Sequence, residues 1–361
     1  MNSRYHRQEI LPQIGVGGQQ QIGSARVLVI GCGALGTVMA ELLARAGVGH
    51  LRIVDRDIVE WTNLQRQVLF TENDAKNGLP KAVAAAERLR EINSEIVIEP
   101  LVTDVDAGNV EPVLSLGSQS PRMPIRGLSA ADENSFAAFP DLILDGTDNV
   151  ETRYLINDAA VKHSIPWVYA AAVGMEGRVM GVIPGRTPCL RCVFPNPPAA
   201  SELATCDTTG VLGVASAAIA SLAVVEGLKL ILGQTPSHLL AADVWAGRFS
   251  QIDLKENRVP DCLCCGERKF EFLERPATSD SAKLCGRNAV QVRGNDVVDL
   301  GMLAKRLTPD VVVQHTPYML RAMLREPAGV ILSVFPDGRV IVTGTTDIGR
   351  ARSIVARFVG A

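Results

Sequence analysis

Two pairs of cysteines stand at metal-ligand spacing: Cys189 and Cys192 in PCLRC, and Cys262 and Cys265 in DCLCC. Two C-x-x-C knuckles can close a tetrahedral four-cysteine zinc site, and such a closed site is structural because no coordination position stays open for catalysis. The plainer alternative is four unrelated core thiols. Cys264 lies between the second pair and is expected to point away from the metal as a spare thiol. Cys32 sits in an apolar turn, where a small buried hydrophobe is expected. Cys206 falls in FPNPPAASELATCDTTGVLG, a Pro- and Ala-rich stretch that reads as a mobile loop. A loop thiol with a depressed pKa is a nucleophile, and otherwise a bystander.

A second constellation surrounds GCGALG at 31–36, which matches G-x-G-x-x-G between an apolar run and a helical pattern, with Asp55 about twenty residues on. Such glycines let backbone N–H groups and a helix N-terminus approach a phosphate, and the acid suits ribose hydroxyls. Hydride transfer by an NAD-dependent oxidoreductase is one reading. Against it, DIVEWTNLQRQ places Asn63, Arg66 and Gln67 close together, with Lys81 soon after, and converging cations suit a triphosphate better than a nicotinamide. A solvated charged face is the other reading of Arg66 and Lys81. DGTDN brings Asp145, Asp148 and Asn149 to the end of a later strand, either to hold Mg2+ against phosphates or to cap the next helix.

The elements that must position these residues read as alternating strands and helices. ARVLVIG, HLRIVDRD, EIVIEPLVTDV, DLILDGTD and PWVYAAAV are strand-like; TVMAELLARAG, KAVAAAERLREIN and ETRYLINDAAVKHS are helical. The pattern predicts a Rossmann-like α/β fold, a doubly wound, mostly parallel sheet. Residues 112–138 are rich in Ser, Pro and Gly and read as a surface excursion. Val211–Val225 is apolar but too short for a bilayer and reads as a helix buried on all sides. The expected division is a nucleotide domain over 1–267, a charged linker over 268–284 and a small α+β domain over 285–361. The last contains two strands around Asp337-Gly338 and a capped closing helix.

With 361 residues, 47% hydrophobic and 21% charged, the chain is long enough for two domains with sizeable cores. A net charge of −3 gives no electrostatic case for nucleic acid or an anionic membrane. The polar N-terminus lacks an apolar h-region, so a cytoplasmic, reducing setting is expected, where cysteines serve as ligands or in catalysis rather than in disulfides. The five histidines show no ligand spacing.

Taken in order, RYHRQEILPQIG, GCGALG, DRDIVEWTNLQRQ, LPK, DGTDN, PCLRC, TCDTTGVLG and DCLCCG resemble the ThiF/MoeB/HesA adenylyltransferases, bacterial relatives of ubiquitin-activating enzymes. The resemblance covers roughly residues 4–266. It implies ATP- and Mg2+-dependent adenylation of the C-terminal glycine of a ubiquitin-like sulfur-carrier protein ending in Gly-Gly. The product would feed thiocarboxylate formation for thiamine, molybdopterin or related sulfur transfer. By the same resemblance Asp55 matches the ribose acid, Asn63, Arg66 and Lys81 the phosphate contacts, and Asp148, with Asn149 beside it, the Mg2+ carboxylate. Gly31, Gly33, Ala34, Gly36, Asp57, Thr62, Leu64 and Gln65 fall in the matching nucleotide-site motifs. Arg7 matches an arginine that reaches the neighbouring subunit's ATP site, which implies a homodimer. Cys206 matches a loop cysteine with covalent chemistry in some members. A sulfurtransferase or cysteine desulfurase is a further candidate partner. A relative that activates a tRNA-attached or small-molecule carboxylate, or a catalytically inactive scaffold, would carry a similar fold. The chain departs from the pattern in the longer connection between NLQRQ and LPK and in Trp61-Thr62. The C-terminal stretch with Cys285 is too short for a rhodanese domain; it is expected to bind the carrier or a partner, or to stabilise a dimer.

Overall fold

A computed structural model describes residues 4–116, 139–198, 206–275, 281–283, 288–294, 297–307 and 311–360. The chain divides into two compact units, Met1–Pro276 and Ala277–Ala361.

The first unit opens with α1 (His6–Glu9) and α2 (Gly15–Ser24), then β1 (Arg26–Ile30), α3 (Ala34–Ala46) and β2 (His50–Val54). A 3-10 turn, Trp61–Asn63, precedes α4 (Glu72–Asn77), α5 (Lys81–Ile92) and β3 (Val97–Leu101). Next come α6 (Val110–Leu114), β4 (Leu142–Asp145), α7 (Val150–Lys162), β5 (Trp167–Val173), β6 (Glu176–Val182) and α8 (Leu190–Val193). The unit ends with α9 (Cys206–Thr209), α10 (Gly213–Ile231), β7 (His238–Asp243) and β8 (Arg248–Asp253). The strands form one sheet in the order β3-β2-β1-β4-β5-β6-β7-β8. Pairing is parallel from β3 through β5 and antiparallel from β5 to β8. The antiparallel extension is not evident in the sequence: β8 is exposed along its whole length and so lacks the period-2 apolar pattern.

Strand alternation sorts the core into two layers. Val27 and Val29 of β1 face one layer with α3, α5 and α10; Leu28 and Ile30 face the other, with α6, α7 and the cysteine knuckles. Helix α10 is only partly enclosed, contrary to the expectation of burial on all sides: Val214 is 68% and Val225 48% exposed. It is long and apolar enough to cross a membrane by composition, yet it packs on α3, β5 and β6. The expected excursion at 112–138 begins inside helix α6; residues 117–138 lie outside the described residues. The long connection ahead of LPK holds α4, capped by Thr71 and Asp74. Residues 268–275, expected as linker, pack on the first unit through Phe270, Phe272 and Leu273, apolar anchors hidden among charges.

The order of strands reverses between β1 and β4, where an open α/β sheet binds its ligands. There three glycines let backbones meet. A Cβ on Gly31 would fall 2.7 Å from the Gly146 carbonyl, one on Gly146 would fall 2.5 Å from the Gly31 oxygen, and one on Gly36 would collide with that same oxygen.

The second unit holds β9 (Ser281–Lys283), β10 (Ala289–Arg293), α11 (Leu300–Leu307), β11 (Val312–His315), β12 (Leu320–Met323), β13 (Ile331–Val334), β14 (Arg339–Thr343) and α12 (Ile348–Phe358). Its sheet is antiparallel, in the order β11-β12-β13-β14-β10-β9. Val290, Val292, Leu320, Leu332, Val340 and Val342 bury one face under Leu303, Ile354 and Val355 of the helices. The Asp337-Gly338 turn joins β13 to β14, and Asp347 caps α12 by accepting from the Arg350 N–H.

Gly36→Ala or Gly146→Ala should lower the unfolding free energy by about 1–3 kcal/mol. Gly17→Ala, in open space on α2, should be neutral or stabilising by up to about 1 kcal/mol. Urea unfolding of the three variants checks the contrast.

Candidate nucleotide site and cysteine centre

The glycine contact sets the mouth of the site. Helix α3 begins at Ala34 with Gly33 as its N-cap and no side chain capping it, so its first N–H groups are left for a ligand. A Cβ on Gly33 would meet only Gln67 Nε2, at 3.9 Å, so the middle glycine of the motif faces open space. Gln67 is buried, and its Oε1 has no hydrogen-bond partner among the described residues. An orphaned buried acceptor beside an open backbone loop fits a site built for a polar ligand.

Asp55, at the end of β2, belongs to the same mouth. Its two carboxylate oxygens accept from the N–H groups of Cys32, at 2.6 Å, and Asp57, at 2.7 Å. Burial pushes its carboxyl up, and the Lys81 ammonium pulls against that shift. Lys81 is 4% exposed at the start of α5, and its Nζ lies 3.2 Å from Asp57 Oδ2. The alternative reading of Lys81 as part of a solvated charged face does not hold, because its ammonium is buried beside Asp57. Cys32 is fully buried and its thiol is pushed well up by that burial, which makes it an inert packing residue.

The flanking loop is more open. Thr62 and Gln65 are exposed, and Leu64 is half-buried. Asn63 is buried and its Oδ1 accepts from the Glu60 N–H, so part of its polarity closes the turn. Arg66 Nη1 donates to the Thr62 carbonyl at 2.7 Å. Gly213 at the start of α10 abuts this loop; a Cβ there would fall 2.8 Å from the Gln65 carbonyl oxygen.

Across the mouth, DGTDN divides its labour. Asp145 is fully buried: its carboxylate accepts from Arg153 Nε at 2.7 Å and from the Thr147 N–H and hydroxyl. Arg153 also donates to the Thr147 carbonyl at 2.7 Å. Burial pulls its guanidinium down, and the Asp145 carboxylate more than offsets this. Asn149 caps α7, its Oδ1 accepting from the Glu151 and Thr152 N–H groups, as the capping alternative expected. Asp148 is exposed on the rim.

Arg7 lies on α1, and that segment is pinned to the far end of α3: Gln8 donates to the Ala46 carbonyl, and Asn93 to the Tyr5 hydroxyl. Thirteen residues of helix, roughly 20 Å, separate that end from Gly33, so Arg7 does not join its own chain's site. Of the expected mobile loop around Cys206, residues 199–205 lie outside the described residues. The backbone of Cys206 opens the short helix α9. Cys285 lies outside the described residues.

The two cysteine knuckles converge. The Sγ atoms of Cys189, Cys192, Cys262 and Cys265 all lie within 4.8 Å of one another, with separations of 3.9, 3.7 and 3.4 Å between hydrogen-bonded pairs. A tetrahedral zinc centre with four thiolate ligands requires about 3.8 Å between sulfurs, so the set fits zinc. Hydrogen bonding among the clustered thiols pulls the Cys192 thiol well down and pushes those of Cys189 and Cys265 up. Gly266 completes the second knuckle; a Cβ there would meet the Pro260 carbonyl. Cys264 is not spare: it is fully buried and its Sγ accepts from Asn157 Nδ2 at 3.2 Å.

Sequence reasoning missed Arg153 and Asn157 and gave Gln67 no role in the site. Only an arginine and an asparagine at helical spacing after DGTDN hinted at the first two.

Residues 5–265 match the ThiF family. Over the full length of both proteins the chain is 40% identical to the sulfur carrier protein ThiS adenylyltransferase of Bacillus subtilis (strain 168). It is 40% identical to the adenylyltransferase and sulfurtransferase MOCS3 of Sus scrofa over 73% of this chain and 53% of that protein, so it spans about half of that relative's length. It is 36% identical to the sulfur carrier protein adenylyltransferase of Thermus thermophilus, over 73% of this chain and 90% of the other. Among solved structures, E. coli MccB with ATP shares the fold with a TM-score of 0.58 at 21% identity, over 73% of this chain and 75% of that one.

Metal analysis of dialysed protein should find about one zinc per chain, and Cys192→Ser should lower it. Arg153→Ala strands the buried Asp145 carboxylate and should cost about 3–5 kcal/mol in urea unfolding.

Proposed function

The chain belongs to the ThiF family, and on that footing we propose that it adenylates the C-terminal glycine carboxylate of a ubiquitin-like sulfur-carrier protein. The observation that carries the reading is the full-length 40% identity to a ThiS adenylyltransferase, combined with a phosphate-ready α3 N-terminus at the strand switch point.

In the proposed reaction a carboxylate oxygen attacks the α-phosphorus of ATP, the bond to the β-phosphate oxygen breaks, and acyl-adenylate and pyrophosphate result. The nucleophile and the triphosphate are both anionic, so the site must supply cations. Lys81 and Arg66 would contact the phosphates, Asn63 would steady the same loop, and Asp55 would meet the ribose while it fixes the glycine turn. The N–H groups at Ala34 and its neighbours would take up phosphate charge. Asp148, exposed on the rim, would hold Mg2+, which when bound neutralises phosphate charge. Buried Arg153 and Asp145 keep that loop in place.

Arg7 would complete the site in trans, since its own chain keeps it at the far end of α3. Ile10, Leu11 and Val16, 47–62% exposed beside it, supply apolar surface for the second copy of a homodimer. Trp245 and Phe249, 75% and 66% exposed on the outer hairpin, offer apolar surface for the carrier. Conversion of the adenylate to a thiocarboxylate needs a sulfur donor, for which a sulfurtransferase or cysteine desulfurase is the candidate partner. Four reduced thiols at ligand spacing fit a cytoplasmic setting.

Carrier-dependent ATP–pyrophosphate exchange tests the reading. Arg66→Ala and Asp148→Ala should each reduce exchange by about two orders of magnitude or more, while Cys206→Ala should keep it, because adenylation precedes any thiol chemistry. Near-normal exchange in Arg66→Ala or Asp148→Ala would contradict the assigned roles. Mixing Arg7→Ala with Asp148→Ala protein should restore part of the activity, since each mixed dimer regains one complete site; no recovery would count against the trans arginine.

A further inference from the structure

Helix α7 touches both the nucleotide rim and the cysteine centre. At its N-terminal turn Arg153 holds Asp145 and the Thr147 carbonyl. One turn on, Asn157 is fully buried and spans the two knuckles. Its Oδ1 accepts from the Leu190 N–H at 2.9 Å, between Cys189 and Cys192. Its Nδ2 donates to Cys264 Sγ at 3.2 Å, between Cys262 and Cys265. Asp158, also fully buried, accepts from the Phe272 N–H at 2.9 Å and so ties down the chain that leaves the second knuckle.

A buried amide is costly unless both its ends are bonded. Here each end is satisfied by a different knuckle, and the two knuckles are far apart in sequence. Leucine would fill a similar volume on α7 but would strand the buried Leu190 N–H and leave the knuckles unjoined, so the amide acts as a clasp. Groups that orient metal ligands from behind change metal affinity and release by about 10–100-fold when removed.

We propose that Asn157 is a positioning residue that locks the two cysteine knuckles in register and, through α7, passes that constraint to the Asp145–Arg153 pair and the rim loop. Cys264 is the acceptor that makes the clasp two-sided, a hydrogen-bonding role and not metal ligation. The clasp itself stands on the geometry of the knuckles, and its value to catalysis rests on the function proposed above.

The test uses the zinc-loaded full chain and follows zinc release to an excess of a colorimetric chelator. Asn157→Leu should release zinc about 10–100-fold faster than the unsubstituted protein. Cys264→Ala should also be faster, whereas Cys264→Ser, which keeps an acceptor, should restore a slow rate. Hydrogen–deuterium exchange of the 145–149 segment should quicken in Asn157→Leu and Cys264→Ala alone. Unchanged release in both variants, or protein that purifies without zinc, overturns the clasp; faster release with unchanged exchange at 145–149 overturns the relay. Should Asn157→Leu fail to fold, the Cys264→Ala and Cys264→Ser pair decides. None of these readouts needs adenylation, so failure of the proposed function would leave them interpretable.

Discussion

Where β1 and β4 end side by side, the Gly31 carbonyl lies against Gly36 and Gly146 with no side chain between them. That backbone contact brings the bare N-terminus of α3 to the same crevice as the DGTDN loop. The other parts of the nucleotide site are held in relation to it. Asp55 is fixed by the Cys32 N–H just beyond Gly31, Asp57 by Asp55, and Lys81 by its ion pair with Asp57. Hydrophobic burial makes the sheet, but this steric allowance decides what the carboxyl ends of its strands can hold.

The opposite layer supplies rigidity by other means. Between α7 and the segment 254–273, much of the core is built on the four cysteines and the aromatic anchors Tyr154 and Phe272, whose rings stand 5.0 Å apart. A metal that joins residues 189–192 to 262–265 closes a long loop, and loop closure restrains the unfolded chain more as the loop grows. The buried amide of Asn157 and the Arg153 that grips Asp145 at the end of β4 lie on one helix, so the cysteine centre and the nucleotide rim share one rigid element.

The local parts of this account were legible in the sequence. The glycine turn, the β-α-β periodicity, the paired C-x-x-C knuckles and the Asp-Gly turn between β13 and β14 each depend on neighbours within a few positions. The family resemblance pointed to the charged set. What the sequence hid depends on distance along the chain. Asn157 meets Cys264 across 107 positions, and Phe272 N–H meets Asp158 across 114, with nothing local to mark either contact. Helix α10 reads as uniformly apolar, yet Val214 and Val225 are exposed, because composition does not say which side a neighbour covers. The charged run after DCLCCG concealed Phe270 and Phe272, and strand β8 gave no alternation because neither of its faces is buried.

The central claim is that the carrier's terminal carboxylate becomes an acyl-adenylate in this site. Intact-mass spectrometry of a Gly-Gly-ending carrier, incubated with the protein, ATP and Mg2+ and trapped with hydroxylamine, tests it most directly. The account predicts a carrier converted to its C-terminal hydroxamate, with AMP released, only when both ATP and the terminal glycine are present. A carrier of unchanged mass under those conditions would contradict it.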